Sequence, residues 1–124
     1  MLKICDIKNI QELKTLHERG VEFVGFHLIT QNDFKRKRVI QNCIEYLHSI
    51  SSGTKAILIT KEKNYQKLKK IIDKFEFDGI QLHYQNSKSN INKLRAEFNK
   101  DFIIFEVKLT IFLSSIRKAA KGLL

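Results

Sequence analysis

The sequence predicts an α/β domain built on parallel strands. Short apolar runs recur along the chain, each is followed by a segment with apolar residues at helical spacing, and Gly, Asn or Ser marks several of the joins. Strict alternation of strand and helix implies parallel strands joined by right-handed crossovers. The chain has 124 residues, enough for one hydrophobic core, and no linker, low-complexity tract or break in composition divides it. Residues 1–124 are therefore read as a single domain.

The elements follow in order. Strand one is expected over Leu2–Ile7 and helix one over Ile10–Arg19, with Asn9 and Glu12 as an Asn-x-x-Glu capping start and Gly20 as the stop. Strand two is expected over Glu22–Ile29. A basic loop containing Lys35-Arg36-Lys37-Arg38 then leads into helix two, Lys37–Ser49, where Ile40, Cys43, Ile44 and Leu47 share a stripe. Ser51-Ser52-Gly53 ends that unit. Strand three covers Lys55–Thr60, and helix three covers Tyr65–Phe75 with Leu68, Ile71, Ile72 and Phe75 on one side. Strand four is Gly79–Tyr84, helix four Asn90–Asn99 and strand five Phe102–Leu109, with a last helix over Leu113–Lys121. The strands are mostly continuous apolar runs, as helix-covered parallel strands are.

Composition narrows the function. Apolar residues make up 43% and charged residues 29%, which fits a globular chain. No run reaches the roughly 18 apolar residues of a membrane helix. The start lacks the basic head and long apolar body of a signal peptide, so a cytoplasmic location is expected. The formal charge is +10, but 18 Lys against 5 Arg, spread along the chain, argue against specific base readout. No specific nucleic-acid partner and no membrane are expected; a positive field also suits an anionic small-molecule substrate. Two distant Cys and four scattered His give neither a disulfide framework nor metal-ligand spacing, so no metal is expected.

In parallel α/β folds ligands sit at the carboxyl ends of the strands. That rule singles out Cys5-Asp6, the segment after Phe26, Thr60-Lys61, Gln81-Leu82-His83 and Lys108. A thiol at Cys5 serves as nucleophile or base where positive charge lowers its pKa, or it packs as a small buried hydrophobe; position alone favours the second. The four cations at 35–38 clamp an anion or lie solvated in a loop. Gln81 and His83 alternate with Ile80 and Leu82, so the two polar side chains face away from the helices and need partners, from a ligand or from a hydrogen-bond network.

Three segments taken together carry a resemblance: Lys3-Ile4-Cys5, Gly20-Val21-Glu22-Phe23-Val24-Gly25-Phe26, and Asp78-Gly79-Ile80-Gln81-Leu82-His83. In order and spacing the chain resembles the N-terminal part of the phosphoribosylanthranilate isomerase family of tryptophan biosynthesis, over about residues 2–109. The resemblance implies TIM-barrel-like (β/α) repeats, incomplete at about five of the family's eight units. It implies an Amadori rearrangement of N-(5-phosphoribosyl)anthranilate with no cofactor, and so an isomerase of the aldose–ketose type. By it Cys5 matches the family's general base, Arg38 (or Arg36) the arginine that holds the anthranilate carboxylate, and Gln81 and His83 the pair lining the site.

The chain departs from the family at several positions. Asp6 and Tyr84 stand where the family has glycines, the Ser-Pro before the loop arginine is missing, and Phe105 stands at the strand-five lysine. A carboxylate beside the thiol is expected to disfavour its ionisation. The family's general acid on strand six and its phosphate loops after strands seven and eight have no counterpart here, since Asp78 and Asp101 precede strands and sit at the wrong end. The expectation is therefore a truncated isomerase, inactive by itself. The alternative is a non-catalytic half-barrel or protein-binding module that dimerises through its open sheet, or that another chain completes. An unrelated doubly wound domain would need a glycine-rich loop after strand one, where Asp6-Ile7-Lys8-Asn9 stands instead.

Overall fold

The computed structural model describes residues 3–50, 53–82 and 86–106. Its elements are β1 (Lys3–Cys5), α1 (Ile10–Glu18), β2 (Phe23–His27), α2 (Gln31–Lys35), α3 (Lys37–Ser49), β3 (Lys55–Thr60), α4 (Tyr65–Phe75), β4 (Gly79–Leu82), α5 (Lys88–Glu97) and β5 (Ile103–Glu106). The five strands form one parallel sheet in the order β1-β2-β3-β4-β5. Each crossover advances one strand in the same direction. A doubly wound sheet reverses direction at a switch point, and this order contains none.

The sheet curls. Neighbouring strands lie about 4.8 Å apart, so three steps of a flat sheet would separate β2 from β5 by about 14 Å. Yet the Phe23 and Phe105 rings, on β2 and β5, meet edge-to-face at 5.3 Å between centroids. Lys3 on β1 reaches further still: its Nζ lies 4.5 Å from the Phe105 ring centre and donates a hydrogen bond to Gln81 Oε1 on β4. Five strands thus wrap into half a barrel whose concave face is bridged from one edge strand to the other.

Alternation along the strands divides their side chains between two layers. Val24, Phe26, Ala56, Leu58, Ile80 and Leu82 are buried and pack outward with Leu13 of α1, Ile40, Ile44 and Leu47 of α3, Leu68, Ile72 and Phe75 of α4, and Leu94 of α5. Ile57 and Ile59, buried on β3, lie outside that cluster. Close packing on the concave side also fixes Gly79: a Cβ there would stand 2.5 Å from the Ile103 carbonyl oxygen and 2.9 Å from Ile57 Cδ1.

The helix ends follow local chemistry. Asn9 caps α1 by accepting the Glu12 amide at 2.8 Å, while Glu12 reaches back to the Lys8 amide rather than to Asn9. Gly20 follows with φ +75°, as its stop role requires. Helices at 37–49 and 65–75 lie where the apolar spacing places them. The region expected as one basic loop differs: Thr30 and Asp33 form a reciprocal capping box that starts α2, and Arg36 ends it. The last helix, Leu113–Lys121, and the end of strand five lie outside the described residues. No helix among the described residues is long and apolar enough to cross a membrane.

Candidate active site at the carboxyl ends of the strands

The parallel sheet gathers the carboxyl ends of β1 to β4 on one rim. Cys5 is the last residue of β1 and pairs with Gly25 of β2. The next residue, Asp6, has φ +63°. That left-handed conformation suits glycine and is tolerated by Asp better than by most side-chain-bearing residues. It gives a physical reason for the glycine that the resemblance implies at this place, and it turns the chain sharply at the end of β1.

Three basic groups surround the Asp6 carboxylate. Oδ1 lies 3.5 Å from His27 Nδ1 and 3.6 Å from the Arg36 guanidinium, and Oδ2 lies 3.9 Å from Lys8 Nζ. The same Arg36 nitrogen, Nη2, donates a 3.2 Å hydrogen bond to Asp33 Oδ1. Asp33 is itself fixed by the amides of Ile29 at 3.0 Å and Thr30 at 2.9 Å, both on Oδ2, while its own amide donates to the Thr30 hydroxyl. The Thr30 amide above all, then the Ile29 amide and Arg36, hold the Asp33 carboxyl down at about 2 against the opposing effect of burial. The sequence carried a signal for this device in Thr30-x-x-Asp33 ahead of a helix, a capping box read there as loop. No local pattern announced the convergence of Asp6, His27 and Arg36, which comes from three separate segments.

Of the two loop arginines, Arg36 comes to the rim, half-buried, whereas Arg38 lies exposed in the first turn of α3. Gln81 is partly buried on β4 and accepts from Lys3. An ammonium does stand over Phe105, but Lys3 of β1 supplies it. His83, Tyr84 and Lys108 lie outside the described residues. Thr60, at the end of β3, is buried and accepts the Glu62 amide at 3.1 Å. Beside it a cavity of about 370 Å³ opens between the connections after β2 and β3, lined by Leu28, Phe34, Thr60, Lys61 and Lys63.

A cavity of about 440 Å³ lies at the other end of the sheet, against Lys55, Asp78, Phe98 and Phe102. The groups there are structural. Asp78 Oδ2 accepts the Ala56 amide at 2.8 Å, and its Oδ1 lies 3.3 Å from His48 Nε2. Asp78 thus ties β3 to β4 at their amino ends, away from Cys5, as its place before a strand implies. Cys43, the other cysteine, is buried among Ile40, Ile44 and Leu47; burial, with a smaller contribution from Glu12, pushes its thiol up to about 11. Among the described residues no group of three or more His, Cys, Asp or Glu is placed to hold a metal ion.

No family model matches the chain. Curated proteins do. The N-(5'-phosphoribosyl)anthranilate isomerase of Listeria welshimeri is 26% identical over 119 residues, which cover 96% of this chain and 57% of that protein. The isomerase of the same name from Pyrococcus furiosus has a solved structure that superposes with a TM-score of 0.65 at 21% identity, over 86% of this chain and 50% of that one. A phosphoribosyl anthranilate isomerase solved in complex with reduced 1-(o-carboxyphenylamino)-1-deoxyribulose 5-phosphate superposes with a TM-score of 0.70 at 16% identity, covering 86% of this chain and 53% of the other. The chain spans about half the length of the curated relatives it matches. In sequence and in its half-barrel of five parallel strands, the chain is similar to the phosphoribosylanthranilate isomerases.

Proposed function

We propose that this chain provides the base-bearing half of a phosphoribosylanthranilate isomerase site. In this reading Cys5 is the general base that removes the sugar C2 proton, Arg36 holds the anthranilate carboxylate in preference to Arg38, and Gln81 and His83 line the substrate. The observation that carries it is the meeting of the end of β1 with Arg36 on one rim, through Asp6. A guanidinium suits a planar carboxylate because it offers paired donors. The substrate is then an anionic small molecule, and no cofactor takes part.

The same reading assigns the acid and the phosphate grip to βα units beyond the five described. General acid–base catalysis contributes about 10²–10⁴-fold per positioned group, so five units without an acid should be close to inactive. The test is the loss of substrate fluorescence on isomerisation, measured for the chain alone and for the chain mixed with the later βα units of a relative. Activity in the mixture that disappears in Cys5→Ser supports the reading, and activity that survives Cys5→Ser removes it.

A second reading is a binding module that self-associates through its open sheet. It draws on β1 and β5, each of which pairs with one strand only among the described residues. Size-exclusion chromatography decides it: a monomer at micromolar concentration would sink the dimer.

A further inference from the structure

We propose that Asp6 is a specificity-determining residue, an internal competitor that occupies Arg36 and must be displaced when a carboxylate-bearing ligand binds there. The proposal deepens the function above and rests on its reading of Arg36 as the carboxylate grip.

Four observations support it. The positive φ at residue 6 directs the Asp6 side chain from the end of β1, and the carboxylate then meets His27 and Arg36 through one oxygen. The guanidinium is tethered by Asp33 through Nη2, the same nitrogen that faces Asp6, and the Ile29 and Thr30 amides hold Asp33 in place. The two carboxylates are unequally held: Asp33 is 14% exposed and hydrogen-bonded, while Asp6 is 41% exposed and 3.6 Å away, beyond hydrogen-bond length. Asp6 is therefore the partner that gives way.

The fourth observation is charge. Two carboxylates, Asp6 and Asp33, face one guanidinium and one ammonium, those of Arg36 and Lys8. Their formal charges sum to zero, so these four groups offer an incoming carboxylate no surplus positive charge, and Asp6 repels it at close range. Glycine at this position would leave the same cluster with one net positive charge.

The test uses 2-aminobenzoate as the probe, titrated by its own fluorescence into the full chain and into Asp6→Asn. Asparagine keeps the shape and the tolerance of positive φ while removing the charge. Circular dichroism checks folding, and Asp6→Gly takes the place of Asp6→Asn if the latter fails to fold. The expected result is about tenfold tighter binding in Asp6→Asn, the size of effect a close, partly exposed charge produces. That gain should vanish when Arg36→Met is added. Arg36-dependent binding that improves less than about threefold, or weakens, overturns the competition and leaves the Arg36 reading standing. Binding indifferent to Arg36→Met, or absent in both proteins, overturns the Arg36 reading and the competition with it.

Discussion

Asp6 and Arg36 meet at 3.6 Å across the carboxyl rim of the sheet, one from the turn that ends β1 and the other from the junction of α2 and α3. This contact ties two connections that are 30 residues apart in sequence, and it does so at a backbone position with φ +63°. Two contributions at residue 6 therefore oppose each other, backbone strain against ionic attraction.

They separate by comparing Asp6→Gly with Asp6→Ala. Both remove the carboxylate and differ by one methyl group. Alanine is strained at this φ and glycine is not, so Asp6→Ala should be less stable than Asp6→Gly by about 1 kcal/mol. Urea unfolding of the two variants measures the difference. Equal stabilities would mean that residue 6 relaxes out of the left-handed region.

Asp33 makes acid stability legible. Its folded carboxyl titrates at about 2 against an ordinary value of 3.8. A carboxyl depressed in the folded state stabilises above its unfolded pKa, and that stabilisation is lost as pH falls through the folded value. Stability should thus drop between about pH 4 and pH 2, and Asp33→Asn should flatten this part of the profile. At pH 7 the same substitution should cost about 1 kcal/mol, the usual worth of a cap. Thermal unfolding across that pH range provides the measurement.

Gly79→Ala tests the concave packing. The added methyl would lie 2.5 Å from a backbone oxygen, which cannot swing aside as a flexible side chain can. A loss of about 1–3 kcal/mol is expected. A variant as stable as the parent would show that β5 shifts freely against β4.

Cys43 should be inert in the folded protein. Its thiol is buried and pushed up to about 11, so the reactive thiolate is scarce at neutral pH. In Cys5→Ser, a thiol reagent should label nothing until denaturant is added. The raised value also gives alkaline linkage: above pH 9 the unfolded chain ionises first, and stability falls as pH climbs toward 11. Rapid labelling of native Cys5→Ser would contradict the burial of α3 against the sheet.

Lys3→Met removes the donor to Gln81 and the cation over Phe105 while keeping an apolar stem. A loss of about 1–2 kcal/mol is expected from the hydrogen bond and the cation–π contact together. Differential scanning calorimetry reads it, and no shift in Tm would mean that the bridge across the concave face contributes nothing.

The sequence by itself determined the order and type of the βα units, because apolar spacing is a local property that each element carries within its own residues. Leu68, Ile72 and Phe75 mark the inward side of α4 whatever lies beside it, and the run from Lys55 to Thr60 marks β3. The motifs around Cys5 and Gln81 likewise placed the chain near a family whose members superpose on it. Sequence read the stretch after Ile29 as loop because Thr30 and Asp33 bond reciprocally over one short turn, a signal weaker than a long apolar stripe. Tertiary structure alone decided which groups meet. Lys3 finds Gln81 because the sheet curls, and Asp6 finds Arg36 and His27 because two connections and the end of β2 meet on one rim. Electrostatic contact depends on distance in space, and curvature sets that distance; no spacing in the chain encodes it.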